Sequence, residues 1–422
     1  MSATSPASLL ITNIGQLITM QGASPRIGPS MNDLAIVTNA AIAARDGMIV
    51  GVGSMNAVKS SITLQADAVV IDAGGAVVTP GLIDPHTHPV FSTTREDEFE
   101  MRLQGKSYME IARAGGGIRR SVRDLRKTSA ETLLEKTRCR LDRFLEHGVT
   151  TIEAKSGYGL STESELRQLE VIAELNHTHP IDIVPTFLGA HEFPDEYRQN
   201  REEYVRLLIE EMLPAVAKRK LALFSDVFCE EGVFDNEQSR RIQSAARSLG
   251  LGIKFHADEL EGTGGAELAA SLGAISADHL IHVSENGIHA LAGSGTMAVL
   301  LPGTSFSLGA RHFAPARKMI ESGVAVALST DCNPGSNYSE SLPMMISFAA
   351  VHYRMTAAEA LSAVTVNAAC AVGRGGKIGI LAAGLPADMV IWDMDDYREL
   401  PYHYGVNLVK SVIKNGKVAH SR

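Results

Sequence analysis

The chain has 422 residues, 45% hydrophobic and 21% charged, so it can bury a large core and is too long for a single ordinary domain. Its formal net charge of −9 argues against nucleic acid or an anionic membrane surface as a partner, since either calls for a basic face. Four cysteines (Cys139, Cys229, Cys332 and Cys370) with no CxxC pair do not make a disulfide framework, and a reducing cytoplasm is the expected setting.

The opening stretch, MSATSPASLLITNIGQLITM, has no basic leader region, and Asn13, Gly15 and Gln16 break its apolar run, which is not the pattern of a secretory signal. No run approaches the roughly 18 apolar residues of a membrane span. Further on, AIAARDGMIVGVG (41–53) sets an Asp-Gly pair between alternating apolar positions. VKSVIKNGKVAH (409–420), at the far end, does the same with Asn-Gly. Both predict two-residue hairpins. DAVVIDAGGAVVTPG (67–81) adds two strands and PADMVIWDMD (386–395) one more. Residues 1–79 and 378–422 are therefore expected to form one small β-sandwich domain from both termini.

Between them, over 80–377, strand and helix signals alternate. Apolar, β-branched runs fall at 81–88, 148–155, 181–191, 224–231, 251–258, 274–282, 296–303 and 324–331. The clearest helix starts at a Ser129 cap, turns Leu133, Leu134, Leu141, Phe144 and Leu145 toward one side, and stops at Gly148. Others are expected at 162–176, 201–219, 237–249 and 264–272. Eight alternations point to an α/β fold of the (β/α)8 TIM-barrel type. A doubly wound sheet would normally carry a glycine-rich phosphate loop after its first strand, where this chain has HTHPVFSTTRE.

Barrel chemistry sits at the C-terminal strand ends. There the sequence places His86 and His88 (first strand), His191 (third), His256 (fifth), His279 (sixth) and Asp331 (eighth). Residues i and i+2 of a strand share a face, so the two imidazoles of PHTHP point the same way. Two or three imidazoles with a carboxylate suit zinc or iron, and the candidate ligands are His86, His88, His256 and Asp331. Each feature has a plainer reading: a solvated HxH loop, a core histidine at 256, a helix cap at Asp331. Their joint position at successive strand ends favours metal. In HADE, Glu259 follows His256 by three residues. A carboxylate there can take a proton from water and return it to a leaving nitrogen, unless it merely faces solvent with Glu261. His279 either polarises an attacked carbonyl or steadies the hydroxide, or else is a core histidine bonded to Asp278 or a main-chain group.

PGLIDPHTH, HADE, ADH and STDCNPG, together with the two-ended β domain, resemble the amidohydrolase superfamily over essentially the whole chain. The resemblance implies a (β/α)8 barrel that uses metal-activated water to hydrolyse amides, deaminate rings or open cyclic imides. Two-metal members bridge their ions with a carboxylated lysine or a glutamate near mid-barrel. Here the fourth strand, FSDVFCEE, has no lysine; Lys155 ends the second, and Glu230 keeps a bridging carboxylate open. One zinc or iron ion is expected. EAKSGYGLS (153–161), FLGAHEFP (187–194), SADHLIH and TDCNPGS (330–336) carry a narrower resemblance. It is to the branch that hydrolyses the ring amide of 4-imidazolone-5-propanoate to N-formimidoyl-L-glutamate in histidine degradation. That resemblance implies substrate contacts at Arg95, Tyr158, His191, Glu259, Asn333, Gly335 and Ser336, and chemistry at Glu259, His279 and Asp331. Arg95 can clamp a propionate with paired hydrogen bonds, or else forms a surface ion pair with Glu96 or Glu98. Tyr158 lies in a glycine-flanked loop where a flat ring can approach, or simply packs there. The other readings are a related ring deaminase or cyclic-amide hydrolase, and a metal-free scaffold. A homodimer is expected, with the aromatic PYHYG (401–405) either at its contact or covering the β domain.

Overall fold

Strand β1 (Ala7–Ile18) has three partners in this computed structural model, which describes residues 6–106, 110–111 and 115–422. β2 (Ile36–Arg45) runs antiparallel to it. Its first half pairs in parallel with β4 (Leu64–Asp72), its second half with β5 (Val77–Pro80). A register shift between Ile11 and Ile14, with Asn13 at φ 53°, separates the halves and bends the strand. The 41–53 hairpin joins β2 to β3 (Met48–Ser54) through Asp46 and Gly47, both at positive φ, as a two-residue primed turn requires.

The barrel follows. Its strands are β6 (Leu82–Asp84), β7 (Val149–Lys155), β8 (Asp182–Ala190), β9 (Phe224–Cys229), β10 (Gly252–Ala257), β11 (Ser276–His279), β12 (Met297–Leu300) and β13 (Val326–Leu328). Each lies inside one of the eight runs read from the sequence, and all pair in parallel in chain order. Strands covered on both faces need continuous apolar runs, and β7, β9, β11, β12 and β13 are buried throughout. The seam between β6 and β13 is bridged just past their ends. Asp331 N donates to His86 O (3.1 Å) and His88 N to Cys332 O (2.9 Å). Asp84 accepts from the Ser329 and Thr330 hydroxyls and from Thr330 N. Burial pushes this carboxyl up to about 7, with the Ser329 and Thr330 hydroxyls pulling the other way.

The helix expected from Ser129 spans Ala130–Glu146, its cap accepting from Thr132 N at 3.2 Å. Leu133, Leu141, Phe144 and Leu145 are buried and Leu134 half-buried. The helix expected over 201–219 widens into a π turn at Leu208–Met212, just before Pro214, whose missing N–H breaks the regular ladder. Helices at Glu96–Leu103, Ile118–Lys127 and Leu342–His352 had no counterpart among the expected elements. The chain then returns to the first sheet. β14 (Met389–Trp392) pairs with β5, and the Asn415-Gly416 turn joins β15 (Val409–Lys414) to β16 (Lys417–Ser421). Trp392, fully buried, donates from Nε1 to Thr79 Oγ1 at 2.9 Å and ties the two ends of the chain together.

Gly148 adopts φ 86°, and a Cβ there would lie 3.1 Å from Val390 Cγ2. Gly148→Ala should therefore lower stability by about 1–2 kcal/mol from the left-handed backbone alone, read as an earlier midpoint in urea denaturation.

Candidate active site

Closing the barrel gathers side chains that are far apart in sequence. His88, Tyr158, His191, His256, Glu259, His279 and Asp331 line one cavity of about 140 Å3, which Arg95, Asn333, Gly335 and Ser336 complete. His86 lies directly beneath it, fully buried. Three of the strand ends are bent by non-glycine residues at positive φ: Asp258 (52°), His279 (74°) and Asp331 (52°). Each costs roughly 1–2 kcal/mol, a strain that recurs where side chains must be aimed.

The atoms at the floor are spaced for a shared cation. His86 Nε2 and His88 Nε2 are 3.2 Å apart, and each lies 3.5 Å from Asp331 Oδ1. His86 Nδ1 donates to Asp278 Oδ2 at 2.6 Å, which fixes the tautomer and leaves the Nε2 lone pair facing the cluster. Burial, then the Lys155 charge, holds His86 well below the usual imidazole range, so it stays neutral. Thr304 donates to Asp331 Oδ2 at 2.6 Å and turns Oδ1 inward; burial pushes this carboxyl up to about 6. His86, His256 and His279 also hold nitrogens within 4.8 Å of one another. His88 Nδ1 and both ring nitrogens of His279 are buried without a hydrogen-bond partner. Buried polar atoms are normally satisfied, so these orphans point to a ligand. The donor set of imidazoles and a carboxylate fits a metal ion.

Behind the imidazoles sits a layer of buried charge. Lys155 Nζ lies 2.8 Å from Glu153 Oε2 and 2.7 Å from Asp226 Oδ2. Lys254 Nζ reaches Glu153 Oε1 (2.9 Å) and Pro85 O (3.0 Å). Asp226 Oδ2 stands 3.0 Å from His256 Nδ1. Lys155 thus meets structural carboxylates. Asp226, Glu153 and Lys254 were not foreseen, although their signal was there: charged residues inside strand runs that are otherwise apolar. Asp278 was one of the partners offered by the plainer reading of His279, but it serves His86.

The loops set the rest. Glu230 does not turn toward the imidazoles. Its carboxylate accepts from Glu259 N and Leu260 N (both 3.0 Å) and Glu261 N (3.2 Å), and so holds the HADE loop. Glu259 is half-buried, its side chain 12% exposed, and turns toward the imidazoles; its Oε1 is 3.5 Å from His279 Nδ1. Burial, with Asp331 and Glu230 adding to it, holds Glu259 well above the ordinary carboxylate range. His191 donates from Nδ1 to Gly157 O (2.9 Å) and stacks on His88, with ring centroids 5.2 Å apart. Burial depresses its pKa to about 3. The Tyr158 ring lies 5.4 Å from that of His191. Arg95 lies 3.6 Å from Glu98, yet its Nε and Nη1 are buried with no hydrogen bond. Asn333 organises its own loop, accepting from Gly335 N and Ser336 N at 2.8 Å. A Cβ on Gly335 would fall inside the Arg95 guanidinium.

Residues 77–419 match the amidohydrolase family. The chain is 51% identical over 413 residues to the imidazolonepropionase of Geobacillus sp. (strain WCH70), covering 97% of both chains. It is 49% identical over 413 residues to the imidazolonepropionase of Bacillus velezensis, covering 98% of this chain and 97% of that one. Among solved structures, 5-methylcytosine deaminase from Klebsiella pneumoniae, liganded with phosphonocytosine, superposes with a TM-score of 0.72 at 18% identity, covering 98% of each chain. Adenosine deaminase from Xanthomonas campestris with bound zinc gives 0.71 at 18% identity, covering 98% of this chain and 93% of that one. These two show the shared fold. The chain belongs to the amidohydrolase family, a class of metal-dependent hydrolases built on this barrel. Within that class it belongs with the imidazolonepropionases.

Anything that binds only the folded state stabilises it by mass action. A chelator-stripped sample should therefore melt at a lower temperature than the same sample with excess divalent cation. A free concentration a thousandfold above the dissociation constant adds about 4 kcal/mol. Scanning calorimetry with and without the cation checks this.

Proposed function

We propose that the chain hydrolyses the ring amide of 4-imidazolone-5-propanoate to N-formimidoyl-L-glutamate, the imidazolonepropionase step of histidine degradation. One zinc or iron ion would be held by His86, His88, His256 and Asp331. The observation that carries the reading is the pairing of two features in one small cavity: a cation-spaced cluster at the floor and, at the wall, the Arg95 guanidinium with two buried nitrogens that lack a hydrogen bond. The first suits amide hydrolysis, the second a substrate carboxylate.

When bound, the cation supplies Lewis acidity that makes water a nucleophile near neutral pH. Arg95 binds the propionate through its guanidinium, and Gly335 leaves room for that group to lie flat. Tyr158 and His191 flank the ring, and the 333–336 loop, with Asn333 and Ser336, closes over its far side. Glu259 takes a proton from water as its oxygen bonds to the ring carbonyl carbon. His279, neutral and unpartnered, donates to the carbonyl oxygen as charge develops there. The ring C–N bond then breaks and the nitrogen takes the proton from Glu259. A carboxyl held well above its usual range suits a group that must both accept and return a proton near neutrality.

In this reading residues 80–377 form the catalytic barrel, and 1–79 with 378–422 form the accessory β domain. The setting is the cytoplasm, and no nucleic acid or membrane is involved. Among the described residues no helix is long and apolar enough to cross a membrane. The active form would be a homodimer. Tyr402 and Tyr404 are exposed and do not cover the β domain, so a subunit contact fits the 401–405 cluster better.

Incubation with the imidazolone, followed by ultraviolet loss of the ring chromophore, should show turnover, whereas guanine and cytosine should release no ammonia. Glu259→Gln should cut turnover by about 100-fold or more while leaving bound metal and substrate affinity in place. Gly335→Ala should displace Arg95 and raise KM about tenfold, equivalent to roughly 1.4 kcal/mol of binding, with a smaller effect on kcat.

A further inference from the structure

Lys155 lies under the metal-ready cluster, not in the cavity, and nothing in the proposed reaction uses it. It is fully buried, as are Glu153, Asp226 and Asp278 around it. Ligand atoms of His86, Glu153 and Asp278 lie within 4.8 Å of one another, a gathering of the size that holds a metal ion. Into it projects the Lys155 ammonium, 2.8 Å from Glu153 Oε2, 2.7 Å from Asp226 Oδ2 and 3.8 Å from Asp278 Oδ2. We infer that Lys155 is the built-in second cation of this centre, occupying the place a second metal ion would take and positioning His86 and His256 through Asp278 and Asp226. The inference rests on the reading that those two imidazoles hold the ion.

The atoms involved are specific. Asp278 Oδ2, which faces Lys155, is the oxygen that receives His86 Nδ1–H at 2.6 Å. Asp226 Oδ2, which receives Lys155, is the oxygen 3.0 Å from His256 Nδ1. One ammonium on β7 therefore reaches the carboxylates of β9 and β11, which flank the His256 strand β10 on both sides. Lys254, the other ammonium of this layer, is engaged by Glu153 and Pro85 O. Without Lys155, Asp226 would lose its close counter-ion and Asp278 one of its two nearby cations, Lys254 being the other, in an interior where unpaired charge is strongly disfavoured. Freed carboxylates could then swing away from the imidazoles they orient. A tethered ammonium neutralises them permanently, and it closes the position to a soluble ion.

Two measurements test this. The native chain, saturated with zinc or manganese and desalted, should carry one ion per chain by elemental analysis. A second tightly held ion that disappears in Glu153→Gln would overturn the inference. Lys155→Met should weaken the ion's affinity by about 10–100-fold, as loss of support behind a metal ligand typically does. Chelator competition reads the affinity, and the visible spectrum of the cobalt-loaded protein should shift. In an Asp226→Asn, Asp278→Asn background the same change should cost less than about twofold, because the charges Lys155 serves are gone. Unchanged affinity and spectrum in a folded Lys155→Met chain, or an undiminished loss in that background, would also sink it. Should Lys155→Met not fold, the native stoichiometry decides. A native chain that binds no ion, or leaves the imidazolone intact, fails the functional reading instead.

Discussion

The seam between the first and last barrel strands is the constraint on which the site depends. β6 and β13 are only three residues long each, and the contact between them is made by the segments that follow. Asp84 draws in Ser329 and Thr330, while main-chain bonds join His86 to Asp331 and His88 to Cys332. The residues that close the barrel are thus the ones whose side chains converge on the cation-spaced cluster. Closure and assembly of the site are one event, so the HxH face needs no separate device to find its carboxylate.

Closure alone would leave the imidazoles of His86 and His256 free to rotate. What stops them is the buried layer of Glu153, Lys155, Asp226, Lys254 and Asp278. Ion pairs of this kind rarely add net stability, because taking the charges out of water costs about as much as pairing them returns. Their value lies in direction. A carboxylate behind an imidazole selects its tautomer and its ring plane together. The π turn, the hairpins and the helix caps can be understood from stability alone; this layer cannot.

Much of this was legible in the chain itself. The Asp46-Gly47 and Asn415-Gly416 pairs announced their hairpins because that turn demands two residues at positive φ. The eight strands were legible because burial on both faces forces a mostly apolar run. The Leu342–His352 helix was hidden for a related reason: Pro343 opens it, and its residues are apolar nearly all round, so no stripe marks it out. Partnerships across long sequence separations were beyond reach. Nothing local links Asp278 to His86, 192 residues away, or Glu230 to the main chain of Glu259. The Arg95 question could be posed but not settled from spacing. Glu98 does lie near it, yet without a hydrogen bond, which leaves two donors for something else.

The site divides its labour between strands and loops. His86, His256 and His279 stand on or directly after strands whose backbones are fixed by their neighbours. Glu259 and Arg95 stand on loops, where position must be supplied locally. For Glu259 the supply is Glu230, which converts three main-chain N–H groups into one anchored turn. For Arg95 it is a missing side chain, since Gly335 leaves the volume that the guanidinium fills. Groups that need the same geometry for every substrate sit on the rigid part, and groups that meet one particular substrate sit where a few changes can re-aim them. Exchanging the loops on an unchanged set of strand ends would then alter what is bound while keeping how water is activated.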